Sequence, residues 1–120
     1  MPEDEHSEIV VISEPISAEE LTEIAAERFG DMVKAVVDIN RRMLALGGGM
    51  QSDEEAVLLE QGSAQADVWG INIYPDKPRS EWIEFDSLIN IRPRQENRSR
   101  GVEDAGTREL IQEIVDSLII

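Results

Sequence analysis

Two runs of alternating side chains, joined by a proline-containing connection, limit most tightly what this chain can fold into. From Val68 to Tyr74, Trp69, Ile71 and Ile73 fall on one face and Val68, Gly70, Asn72 and Tyr74 on the other, the period of a half-buried strand. A second run spans Trp82 to Arg92, after a connection from Pro75 to Ser80 that holds two prolines and an aspartate. The pair predicts a β-hairpin. A hairpin is marginal alone, so further strands and a helical layer must cover its apolar face.

The rest of the chain supplies them. Ile9 to Ile12 reads as a short buried strand ending before Pro15. Ser17 and Glu20 form a capping box ahead of Ala18, Leu21, Ile24, Ala25 and Phe29, which recur at helical spacing until Gly30. Asp31 can cap a second helix with Val33, Val36, Val37 and Leu44 on its apolar side, stopped by Gly47, Gly48 and Gly49. Lys34 and Asp38 then sit at i to i+4 spacing on a charged edge of that helix, followed by Arg41 and Arg42. Ser52 to Glu60 fits a capping box, but Ala56 to Leu59 also reads as a short buried strand, and the strand is the reading taken. Thr107 to Leu118 closes the chain as a helix with an apolar stripe of Leu110, Ile111, Ile114, Val115 and Leu118. The order β-α-α-β-β-β-α predicts an α+β fold, a small antiparallel sheet with helices packed on one face. At 120 residues the chain has the length of one domain, read as residues 9–120 behind an acidic flexible tail of residues 1–8.

Composition removes several function classes. Asp and Glu number 26 against 11 Lys and Arg, a net charge of -15, which opposes approach to a nucleic-acid backbone or an anionic membrane. The chain has no cysteine, hence no disulfide, thiol nucleophile or thiolate metal site, and its one histidine, His6, lies in the tail. That removes most histidine-based acid–base, triad and zinc schemes, and no cofactor or resident metal is expected. No apolar run reaches about 18 residues and the start of the chain is acidic, so a soluble cytoplasmic protein with no membrane contact is expected.

The candidate site is the segment Trp82 to Arg100. If the strand runs unbroken, Ile83, Phe85, Ile89 and Ile91 form its core face, and Trp82, Glu84, Asp86, Leu88, Asn90 and Arg92 the other. Glu84 and Asp86 then project the same way, close enough to share a cation or to separate each other's pKa values. Arg92, Arg94, Arg98 and Arg100 crowd into nine positions with Asn97 and Ser99, a set suited to gripping phosphate or carboxylate through guanidinium forks. The plainer expectation is that these arginines clamp the chain's own carboxylates. Gly47 to Gly49 lack the Lys-Ser or Lys-Thr of a phosphate loop, and Trp69 and Trp82 are expected in or beside the core. The binding set is therefore Glu84, Asp86, Asn90, Arg92, Arg94, Asn97, Arg98 and Arg100.

The segments DMVKAVVDI at Asp31 to Ile39, ALGG at Ala45 to Gly48 and DEEAVLLEQGS at Asp53 to Ser63 carry a resemblance to a known family. So do WGINIYPDKP at Trp69 to Pro78, WIEFDSLINIRP at Trp82 to Pro93 and NRSRGVED at Asn97 to Asp104. Together they resemble a small prokaryotic family known only as a domain of unknown function, over Pro15 to about Asp104. The resemblance implies identity and no activity. Where that family is expected to read Gly-Gly-Glu, an apolar residue and a histidine, this chain has Gly48, Gly49, Met50 and Gln51, so neither acidic nor imidazole chemistry is available there. The order of elements is also similar, in topology alone, to small ribonuclease toxins of the RelE and ParE type.

Three functions remain from these residues. The leading one is a non-enzymatic binding or regulatory domain that holds an anionic small molecule or an acidic partner segment. The second is a small ribonuclease or phosphodiester hydrolase using Glu84, Asp86 and the arginines, and the third an oligomerising structural subunit, the oligomeric state being open.

Overall fold

A computed structural model describes residues 8–120; the expected tail, and His6 with it, lies outside the described residues except for Glu8, which pairs with Arg28. The elements run β1 (Val10–Ile12), α1 (Ala18–Arg28), β2 (Val33–Asp38), β3 (Met43–Leu46), α2 (Gln51–Glu60), β4 (Val68–Ile73), β5 (Ile83–Glu84) and α3 (Ala105–Leu118). All neighbouring strands pair antiparallel, in the order β1-β3-β2-β4-β5. The α+β class and the small antiparallel sheet are as the sequence predicts. So is the β4–β5 hairpin, and Ser17 caps α1 by accepting from the Glu20 amide at 3.1 Å.

Two elements exchange character. Asp31 to Leu44 is a hairpin of β2 and β3 where the sequence predicts a helix, and Gln51–Glu60 is a helix where it predicts a strand. The cause is that β2 is covered on both faces. Ala35 and Val37 pack with α1 and α3, while Val36 packs with Ala45, Leu58 and Val68 under α2. A strand buried on both sides loses its polar alternation, and its valines at positions 33, 36 and 37 then mimic helical spacing. The Asp38 carboxylate turns the chain into β3 by accepting from the Asn40 and Arg41 amides, both at 2.9 Å. Lys34 and Asp38 are thus strand residues on one face, and the glycine run ends β3.

In α2 the buried residues are Glu54 and Leu58, so its inner stripe contains a carboxylate and gives little apolar periodicity. The helices therefore divide between the two sheet faces, α1 and α3 on one and α2 on the other, and do not share one face. Gly48 permits the close approach of α2: a Cβ there would lie 3.0 Å from Ile9 and 3.1 Å from Glu54.

The strand expected from Trp82 to Arg92 is two residues long. At Ser87 the chain leaves the sheet plane and crosses β4 where Gly70 gives it room; a Cβ on Gly70 would lie 2.5 Å from Ser87 Cβ and Oγ. Beyond that crossing the Asn90 side chain replaces a strand. Its Oδ1 accepts from the Gly70 N–H at 2.8 Å, and its Nδ2 donates to the Gly70 carbonyl and the Arg100 carbonyl, each at 2.9 Å. The alternation of faces stops there: Asn90 is buried, while Ile91 and Leu88 are 43% and 67% exposed.

Gly70→Ala should lower unfolding stability by about 1–3 kcal/mol through overpacking against Ser87. Asn90→Ala should also be destabilising, by leaving buried peptide groups unpaired. Because the two residues share one contact, the double variant should lose less than the sum in urea denaturation.

Candidate functional site

The register of three strands sets Lys34 on β2 opposite Asn72 on β4, and Asn72 opposite Glu84 on β5. This polar row lies on the α2 side of the sheet, since Ile71 and Ile73 face the other core. Asn72 Nδ2 donates to Glu84 Oε1 at 2.8 Å, and the Tyr74 hydroxyl donates to the same oxygen at 3.2 Å. Gln51, first residue of α2, reaches down to the row, with Nε2 donating to the Ile71 carbonyl at 2.9 Å and Asn72 Oδ1 at 3.1 Å. Burial and the Glu84 carboxylate both raise the Tyr74 pKa, so the phenol stays protonated at neutral pH.

Beside this row is a pit of about 190 Å³ lined by Lys34, Met50, Gln51, Ser52, Ser87, Leu88, Ile89 and Arg100. The Lys34 ammonium lies 5.5 Å from the centre of the Phe29 ring, and Arg100 Nε donates to Asp86 Oδ1 at 2.6 Å. Met50 caps α2 without a side-chain hydrogen bond. The pit therefore offers two cations, the hydroxyls of Ser52 and Ser87, and an apolar wall.

Of the residues the sequence singles out, Glu84, Asp86 and Arg100 gather at or beside this pit. Asn90, Arg92 and Asn97 turn inward. Arg92 Nε donates to the Ile89 carbonyl at 3.0 Å and Nη1 to the Gln65 carbonyl at 2.7 Å, while Nη2 meets Glu55 at 3.4 Å and the Val68 carbonyl. Its guanidinium also lies 4.8 Å from the centre of the Trp69 ring. Burial raises the Glu55 pKa against the opposing Arg92 charge, and burial lowers that of Arg92 against Glu55. Asn97 Nδ2 donates to the Asn90, Ser99 and Gly101 carbonyls and its Oδ1 accepts from the Glu103 amide, so it ties the loop to itself. Arg94 and Arg98 are exposed, and among the described residues no hydrogen bond or ion pair of their guanidinium groups is found. Arg94 borders an open depression with Gln65, Arg92, Pro93 and Gln95. The eight residues thus do not form a single site.

Lys34, Gln51, Asn72 and Tyr74 are not among the residues that the sequence places in the site. Asn72 and Tyr74 are legible as the polar face of β4, but Lys34 and Gln51 join them only because β2 and α2 exchange their expected roles. A larger depression of about 480 Å³ lies across the sheet edge, between the Gln95–Asn97 turn and the start of α3. Glu96, Glu103 and Asp104 line it; Glu103 holds the Arg98 and Ser99 amides and Asp104 caps α3, so these two carboxylates are used within the fold. Among the described residues no group of three or more histidine, aspartate or glutamate side chains is arranged to hold a metal ion. No helix among them is long and apolar enough to cross a membrane.

The fold and pit define an α+β domain with an antiparallel sheet covered on both faces and a small pit at one end of α2. The chain belongs to a family described as a protein of unknown function, DUF5674, whose model matches residues 10–118. No curated protein and no solved structure matches it.

Glu54 is fully buried, with Oε2 accepting from the Gly48 N–H at 3.0 Å and Oε1 without a hydrogen-bond partner among the described residues. Burial pushes its carboxyl well above the ordinary 4.5, opposed by the Gly48 hydrogen bond and by the Lys34 and Arg28 charges. A folded-state pKa above the unfolded one means that the parent protein loses stability as pH rises from about 4.5 through the folded value. Glu54→Gln keeps an acceptor for Gly48 and does not ionise. Its stability relative to the parent should therefore increase across that window in urea midpoints measured as a function of pH; parallel pH profiles would contradict the assignment.

Proposed function

We propose that this chain is a non-enzymatic binding domain that holds an anionic small molecule in the pit between the α2 N-terminal end and the β2–β4–β5 face. The observation that carries this reading is the placement of Lys34 and Arg100 on one small concavity of a chain whose net charge is -15. On so acidic a chain a cation is readily consumed by a neighbouring carboxylate, as Arg92 is by Glu55 and Arg42 by Glu113. Lys34 has no salt bridge among the described residues: its ammonium lies 5.5 Å from the centre of the Phe29 ring, its charge acts on the buried Glu54, and its side chain lines the pit. Two cations flanking a hydroxyl are a common way to fix an anion.

The ribonuclease reading has less support. Glu84 is hydrogen-bonded to Asn72 and Tyr74, Arg92 is internal, and the overall charge repels a polyanion. A thermal-shift panel of nucleotides, sugar phosphates, inorganic phosphate and mono- and polycarboxylates tests the proposal. At least one anion should raise the melting temperature in proportion to log concentration once saturating. The shift should fall sharply in Lys34→Met, which keeps the apolar stem, and persist in Arg94→Ala. No response to any anion, or equal responses in Lys34→Met and the parent, would overturn it, and hydrolysis of the phosphate esters would favour the enzyme.

A further inference from the structure

We infer that the ligand of the pit is a monocarboxylate carried on a short apolar body, and that Asp86 stands in for its carboxylate on Arg100 while the pit is empty. This rests on the anion-binding reading above and narrows it to one chemical class.

The Arg100–Asp86 contact is the first observation. Arg100 Nε meets Asp86 Oδ1 at 2.6 Å, which places a carboxylate oxygen on this guanidinium at the pit edge. The two side chains are 55% and 41% exposed, and exposed pairs of this kind are held weakly enough for a competing carboxylate to exchange in. The Asp86 carboxylate makes no other hydrogen bond among the described residues; it is the backbone carbonyl of Asp86 that faces Gln51 and Asn72. Releasing the carboxylate therefore leaves the fold's own hydrogen bonds intact.

The apolar wall is the second. Met50 is 58% exposed and Leu88 67% exposed, and both line the pit together with Ile89. Single exposed apolar residues need no explanation. These two come from different segments, the approach to α2 and the turn after β5, and meet beside the two cations. An apolar tail extending from a carboxylate at Lys34 and Arg100 would cover them.

Charge balance is the third. Asp86 lies on Arg100, Glu84 is linked to the pit through Asn72 and Gln51, and the Lys34 charge acts on the buried Glu54, so the two cations already have carboxylates near them. A monoanion suits that balance better than a phosphate dianion. A volume near 190 Å³, below the roughly 300 Å³ at which drug-sized pockets begin, limits the ligand to a short chain.

The test is an amide chemical-shift titration of the full chain with acetate, butyrate, hexanoate and octanoate, and with inorganic phosphate, following Ser52 and Leu88. Affinity should rise about two- to fourfold per methylene until the wall is covered. Asp86→Asn should bind hexanoate several-fold tighter than the parent, and Asp86→Ser should do the same if the asparagine variant fails to fold. Leu88→Ser should flatten the dependence on chain length. If phosphate binds and chain length has no effect, or if both Asp86 variants bind hexanoate no tighter than the parent, this inference falls while the anion-binding reading stands. If no anion perturbs these amides, both fall.

Discussion

The carboxamide of Asn90 presents one acceptor and one donor to the backbone of Gly70, as a neighbouring strand would, and the path of the chain beyond β5 depends on that substitution. A sheet edge in a folded interior must have its N–H and C=O groups paired. The clamp meets that demand with a single residue and frees the chain to leave the sheet. Gly70 is the other half of the arrangement, since any side chain there would occupy the space of Ser87. Asn97 repeats the device one layer out by donating to the Asn90 carbonyl at 2.7 Å. The segment from Ser87 to Gly101 is therefore held by buried amides more than by apolar packing, and it arrives over α2 with Leu88 and Arg100 in fixed places.

The same clamp bears on how much of the molecule is legible in its sequence. The strand Val68–Ile73 is, because Gly70 and Asn72 break the apolar run on its second face even though every residue in it is buried. The helices Ala18–Arg28 and Ala105–Leu118 are, because each carries a capping residue and an apolar stripe. The strand β2 is hidden by being covered on both faces, and α2 by burying a glutamate where a periodic pattern needs an aliphatic residue. Asn90 and Asn97 read as polar loop residues suited to a ligand, when their amides serve the backbone. Side-chain chemistry alone does not distinguish those uses; for Asn90 the distinction is made by Gly70, twenty residues away in sequence.

The arginines divide by the same logic of partners. A buried guanidinium needs its donors satisfied, and Arg92 meets three backbone carbonyls and a half-buried glutamate, so its removal would leave several groups stranded. It fastens the loop to α2 and to the turn before β4. Arg100 is half exposed and has one carboxylate partner. Grouping four arginines within nine positions is sound as a statement of charge density, yet Arg92 and Arg94 border a different depression and only Arg100 reaches the pit.

The pit and the fold consequently share components. Gln51 closes the pit floor by bonding to the β4 backbone and to Asn72, and the loop that supplies Leu88 and Arg100 is fixed to β4 through Asn90 two positions further on. A molecule held between Lys34 and Arg100 would thus bridge β2, the start of α2 and the clamped loop, three segments otherwise joined through strand β4. Binding energy placed there would add to the same contacts that hold the loop on the sheet. By linkage, such a ligand would raise the free energy of opening that loop as well as that of global unfolding. The physical reason is that the loop has little apolar core of its own, so an added contact at Arg100 reinforces a segment whose order rests on a few buried amides.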